Sequence, residues 1–167
     1  MKKLLLLLFI AVQTFYAQDK ISFGVFQDAR LLISDDDYGN TAPTLDLIFN
    51  MDWEGKQFTY YYFSIKSQYE QANLQGTTFR RYTINTMWNL NRLFIPKLEA
   101  HLGVGIGMIH RKPLSAFTYS ATSELTYPLF KRIRIALKYE YVRRNDLETP
   151  QFKHNGAVGI QWEGFKL

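Results

Sequence analysis

The chain of 167 residues has no cysteine at all. Disulfide scaffolds, cysteine-ligated metal centres and lipidated-cysteine anchors are therefore excluded. Proline is scarce, with 5 in the chain. After the first dozen residues there is no apolar run of about 18, the length a membrane-spanning helix needs. No helical period of useful length, internal repeat or low-complexity linker is present. Charge of one sign is also lacking. Beyond Lys2 and Lys3 the chain carries 18 basic residues against 15 acidic ones, too mild a balance to imply nucleic acid.

The N-terminus has a different character from the rest. Lys2 and Lys3 precede an unbroken apolar run from Leu4 to Val12, followed by Gln13-Thr14-Phe15-Tyr16-Ala17-Gln18. This is the pattern of a secretory signal peptide, with cleavage expected after Ala17. The expected organisation is a signal peptide over 1–17 and one domain over 18–167. Secretion independently argues against a nucleic-acid partner.

What the remainder has in abundance is alternation. From Lys97 to Pro128, Leu98, Ala100, Leu102, Val104, Ile106 and Met108 occupy every second position. Beyond Arg111-Lys112-Pro113-Leu114 the pattern resumes with Phe117, Tyr119, Ala121, Leu125 and Tyr127. A period of two puts these side chains on one face of a strand. The two strands are roughly twice the usual five to six residues, as a membrane-crossing hairpin requires.

Eight such segments are expected, near 21–33, 44–53, 57–69, 78–90, 97–110, 115–128, 132–143 and 154–165. Longer connections at 33–43, 70–77 and 144–153 alternate with short ones at 54–56 and 129–131. The 111–114 break falls on the long-loop side, and the 91–96 connection on the short side. An even strand number with long loops at one end and short turns at the other predicts an all-β, eight-stranded antiparallel up-and-down transmembrane β-barrel. Trp53, Trp88, Phe94, Tyr127, Phe130 and Phe165 fall near the short-turn end, where an interfacial aromatic girdle belongs.

The signal peptide, the eight alternating segments and the last strand ending Gln161-Trp162-Glu163-Gly164-Phe165 resemble the small outer-membrane barrels of the OmpX and OmpA-domain type. The likeness is architectural and matches no diagnostic motif. Lys166 and Leu167 follow Phe165, a departure from the aromatic final residue of such barrels. The resemblance implies the bacterial outer membrane, contact with its lipid and lipopolysaccharide, delivery to the barrel-assembly machinery through the C-terminal strand, and a monomer. The soluble rival is a lipocalin, whose apolar face turns inward. Its Gly-x-Trp stretch and C-terminal helix are absent. The opposite face here carries Asp28, Arg30, Asp46, Lys66, Arg81, Glu99, Glu124, Arg134, Lys138 and Glu140, which suits a salt-bridged lumen.

Two constellations carry candidate chemistry. Pairing across the 111–114 break places His101 opposite Glu124 on the lumen face, with Arg134 expected beside them. That polar cluster reads as a plug closing a narrow barrel, with a proton-linked gate as the sharper alternative. The same register places His110 opposite Ser115 at the outer rim. A histidine beside a serine is the minimal kit of an acyl hydrolase, and lipid A is the substrate within reach. No acid on that face orients His110, so the plainer reading is a basic rim of His110, Arg111 and Lys112 against lipid phosphates. Asp35-Asp36-Asp37-Tyr38-Gly39-Asn40 evokes a calcium loop, but Gly39 falls at position 5 where position 6 is required. No metal or cofactor is expected.

The reading that follows is a non-enzymatic structural or surface-interaction barrel with a plugged polar lumen. Its contacts are expected in the loops at 34–43, 70–77 and 144–153. A lipid A-modifying hydrolase using Ser115 and His110 and a narrow porin-like pore are the alternatives.

Overall fold

A computed structural model describes residues 18–34, 40–42, 44–74, 78–91 and 95–166. The expected signal peptide, the aspartate-rich 35–39 stretch and Phe94 lie outside them.

Eight antiparallel strands close on themselves in sequence order. They are β1 (Gln18–Asp28), β2 (Asp46–Gly55), β3 (Tyr61–Ala72), β4 (Phe79–Leu90), β5 (Glu99–Arg111), β6 (Leu114–Pro128), β7 (Ile133–Arg144) and β8 (Gln151–Lys166). β1 pairs with β8, so no edge is left unpaired. Connections at 29–45, 73–78, 112–113 and 145–150 lie at one end, the loop end. Those at 56–60, 91–98 and 129–132 lie at the other with both ends of the described chain. The alternation sets this arrangement, because a one-residue slip in any strand would move its whole apolar set into the lumen.

The molecule is inside out relative to a soluble barrel. Leu102, Val104, Ile106 and Met108 of β5 are exposed, as are Phe117, Tyr119 and Leu125 of β6 and Leu137 of β7, with Val104 at 67%. Lys66, Arg81, Glu124, Lys138 and Glu140 are buried within the barrel. A continuous apolar belt of this kind is not tolerated in water on a monomer, whereas lipid matches it. The lipocalin alternative fails here, since it needs the opposite polarity on each face.

The lumen is filled by side chains. Phe26, Ile48, Ala136 and Ala157 form one buried apolar cluster, and Ala72, Phe79 and Ile109 form another. Two glycines make room for side chains in the lumen, polar Asn85 and apolar Phe26. A Cβ at Gly105 would stand 1.9 Å from Asn85 Oδ1, and one at Gly159 would stand 2.6 Å from the Phe26 ring.

The first strand departs from expectation. It stops at Asp28 instead of reaching Ile33, and a short helix α1 (Ala29–Ile33) follows. Asp28 Oδ1 accepts from the backbone N–H groups of Arg30 and Leu31 at 2.8 and 3.3 Å, an N-cap that competes with ladder pairing. Arg30, expected in the lumen, is thereby carried outside and exposed, and Leu31, expected on the lipid side, turns inward at 2% exposure. The Glu54-Gly55-Lys56 turn is also displaced: Glu54 and Gly55 extend β2, and the chain turns at 56–60.

Candidate functional site

Among the described residues the lumen is a column of ion pairs, of which Lys66–Glu124, Arg81–Glu140 and Arg134–Glu99 bridge strands not adjacent in the sheet. At the short-turn end Lys20 meets Glu54 and Glu163 at 3.5 and 3.0 Å, and Arg134 meets Glu99 at 2.6 Å and also Glu163. Further in, Lys66 lies 3.0 Å from Glu124 and 3.4 Å from Asp52, and Gln161 donates to Glu124. Lys138 donates to Gln68 and sits 3.6 Å from Glu140, with its ammonium 5.4 Å from the centre of the Phe26 ring. Toward the loop end Arg81 joins Glu70 and Glu140. Each cation touches a carboxylate, the condition under which burying charge is tolerable.

His101 stands opposite Glu124 in the β5–β6 register. Its hydrogen bonds nevertheless go elsewhere, Nδ1 to Asn89 Oδ1 at 2.6 Å and Nε2 to Thr126 Oγ1 at 2.9 Å. Asn89 donates its own amide to Ser64 at 3.0 Å, so Oδ1 is the atom facing the ring and a neutral Nδ1–H tautomer satisfies both contacts. Tyr62 packs edge-on against the imidazole, 6.4 Å between centres.

Arg134 does not join this pair. The β6–β7 register sets Lys138 opposite Glu124 and Arg134 opposite Pro128, so Arg134 sits four positions nearer the 129–132 connection than the partner of Glu124. Arg134 is thereby left at the short-turn end with Glu99 and Glu163. The expected cluster of His101, Glu124 and Arg134 is thus two neighbouring groups, with Lys66 rather than Arg134 as the cation of Glu124.

His110 and Ser115 do meet. They are register partners at the outer rim, with His110 Nδ1 2.7 Å from Ser115 Oγ. Both are exposed, and Tyr82 packs edge-on against the imidazole at 6.0 Å. Among the described residues no carboxylate hydrogen-bonds or ion-pairs with His110.

Aromatic side chains gather at both ends of the barrel. Trp88, Tyr127, Phe130 and Phe165 are exposed near the short-turn end, where Phe58 stacks on Tyr61 at 5.2 Å and Trp162 meets Phe165 at 5.9 Å. The loop-end belt is absent from the sequence reading. There Tyr141 stacks on Phe152 at 4.4 Å, Arg143 lies 5.0 Å from the Phe152 ring centre, and Tyr69 packs on Tyr82 at 4.9 Å. The signal lay in Tyr139, Tyr141, Phe152 and His154 on strands flanking one loop.

No protein-family model and no curated protein matches the chain. Among solved structures it is similar to the Yersinia pestis outer membrane protein Ail in a phospholipid bilayer nanodisc, with TM-score 0.59, 11% identity, and coverage of 88% of this chain and 100% of that one. A de novo designed transmembrane β-barrel aligns with TM-score 0.50 and 9% identity over 89% and 96% of the two chains. Ail of Yersinia pestis in complex with the heparin analogue sucrose octasulfate aligns with TM-score 0.50 and 14% identity over 88% and 98%. At such identities the likeness is one of fold. The chain has the fold of a small eight-stranded transmembrane β-barrel.

Proposed function

We propose that the chain is an integral outer-membrane barrel that neither conducts nor catalyses, and that presents its loop end as a surface for interaction. The observation that carries this reading is the ion-pair column from Lys20 to Arg81, which occupies a lumen already narrow in an eight-stranded barrel. The exposed apolar belt and the two aromatic girdles support a membrane setting, and the leader-like 1–17 stretch supports export. Lipid and lipopolysaccharide are its neighbours. Arg80, His110, Arg111 and Lys112 form a basic rim suited to their phosphates. The C-terminal strand with Trp162 and Phe165 is the segment offered to the assembly machinery, and the closed sheet leaves no edge for a second copy, in keeping with a monomer.

The hydrolase reading has one observation in its favour, the 2.7 Å His110–Ser115 contact. Against it stands the lack, among the described residues, of a third group, since acyl transfer needs the imidazole oriented and its positive charge stabilised. Membrane fractionation with heat-modifiable electrophoretic mobility, followed by planar-bilayer recording, tests the proposal. The expected result is a heat-modifiable outer-membrane protein with conductance at baseline. A soluble periplasmic product would remove the barrel reading, and discrete conductance steps would restore the pore.

A further inference from the structure

The connections at the two ends of the barrel differ in charge. Those at the short-turn end, 56–60, 91–98 and 129–132, contain Lys56, Arg92, Lys97, Lys131 and Arg132 and no Asp or Glu. Those at the loop end mix both signs, with Arg30 and Lys112 beside Asp35, Asp36, Asp37, Asp146 and Glu148. Lys56, Lys97, Lys131 and Arg132 are exposed, and among the described residues they form no salt bridge. Glu54, Glu99 and Glu163 lie at the same end but are committed inside the lumen to Lys20 and Arg134. A rim of exposed cations with no acid between them attracts an anionic surface.

Charge alone would suit an acidic protein as well as a lipid headgroup. The residues between the cations decide. Phe58, Tyr60, Ile95, Leu129 and Phe130 are exposed, Tyr60 and Phe130 at 71%, and all five stand in the turns rather than on the strands. The turns are closed by backbone hydrogen bonds. The Phe58 N–H donates to the Tyr61 carbonyl at 3.0 Å, that of Leu98 to Ile95 at 3.1 Å and that of Phe130 to Ile133 at 3.1 Å. Apolar side chains on tight turns, interleaved with lysines, match a headgroup layer: the rings meet the acyl boundary and the ammonium groups meet the phosphates.

We propose that the short-turn rim is a collar that binds acidic phospholipid, with Lys56, Lys97, Lys131 and Arg132 on the headgroup phosphates and Phe58, Tyr60 and Phe130 seated at the acyl boundary. The collar rests on the membrane reading above and adds to it a preference among lipids.

All three tryptophans of the chain report on this end. Trp53 and Trp88 lie near the short-turn ends of β2 and β4, and Trp162 pairs with Ile133 at the start of β7. The test places the full barrel in phosphatidylcholine vesicles that carry a fixed fraction of brominated phosphatidylglycerol or, separately, brominated phosphatidylcholine, and compares the quenching of tryptophan fluorescence. Phosphatidylglycerol is expected to be enriched around the tryptophans about threefold over phosphatidylcholine, and about 0.5 M salt is expected to erase most of that preference. Lys56→Gln, Lys97→Gln, Lys131→Gln and Arg132→Gln combined are expected to bring the ratio to about one while heat-modifiable mobility is kept. Equal quenching by the two lipids would overturn the proposal, as would a preference that survives in the folded fourfold variant. If that variant does not fold, a preference unmoved by salt overturns it. Equal quenching together with saturable capture of soluble polyglutamate would put an acidic protein in place of the lipid. No quenching by either brominated lipid would instead overturn the membrane reading on which the collar rests.

Discussion

Lys66 of β3 reaches across the lumen to Glu124 of β6, its ammonium 3.1 and 3.0 Å from the two carboxylate oxygens. The strands are not sheet neighbours, so the pair ties opposite walls of the barrel. Removing one partner of a buried ion pair typically costs about 3–5 kcal/mol, because the other charge is left uncompensated. Lys66→Met is expected to lower unfolding stability in lipid vesicles by that order. Lys66→Met with Glu124→Gln is expected to cost less than the sum of the single changes, as a guanidinium titration of the four proteins would reveal.

The rim pair calls for a different kind of experiment. With no acid among the described residues to orient His110, His110→Ala and Ser115→Ala are each expected to leave the lipid A mass spectrum of the host membrane unchanged. A product lost in both variants would establish the hydrolase.

The loop after β7 carries a pH dependence that can be stated with its sign. Asp146 is buried, which alone would raise its pKa, but hydrogen bonds from Arg144 at 2.8 and 2.7 Å and the guanidinium charge outweigh this and hold the carboxyl below its ordinary 3.8. A depressed carboxylate contributes stability that is fully present above the unfolded value and is lost as pH falls through the folded one. The Arg144 Nε–H resonance is therefore expected to stay fixed from pH 7 to 5 and to move below pH 3.8. Asp146→Asn is expected to abolish that transition.

Depth in the membrane can be read from arginine scanning. Val104→Arg at mid-strand is expected to cost about 2–4 kcal/mol, and Leu129→Arg at the β6–β7 turn about 0–1 kcal/mol. Equal costs would mean that the belt does not face hydrocarbon.

The parity of each strand was legible because a two-residue period records which face is buried, and this alone placed Lys66, Arg81 and Glu124 inside. The β5–β6 register was legible too, since a break as short as Arg111–Leu114 leaves little freedom in pairing. Partners across the lumen were not. Lys66 and Glu124 meet through closure of the whole sheet, which no local spacing encodes, and Arg134 parted from Glu124 because it lies right after the 129–132 connection, opposite Pro128. The end of β1 was hidden for another reason: Ala29, Leu31 and Ile33 keep strand parity while Asp28 caps a helix.

The central claim is that the apolar belt of this barrel faces lipid and its charges face inward. A chain without cysteine suits single-site labelling, and a nitroxide attached at Val104→Cys in lipid vesicles gives the most direct test. Relaxation enhancement by oxygen, which partitions into hydrocarbon, is expected to be high, and enhancement by a water-soluble nickel complex low. A label at Val104 relaxed mainly by the nickel complex would contradict the account.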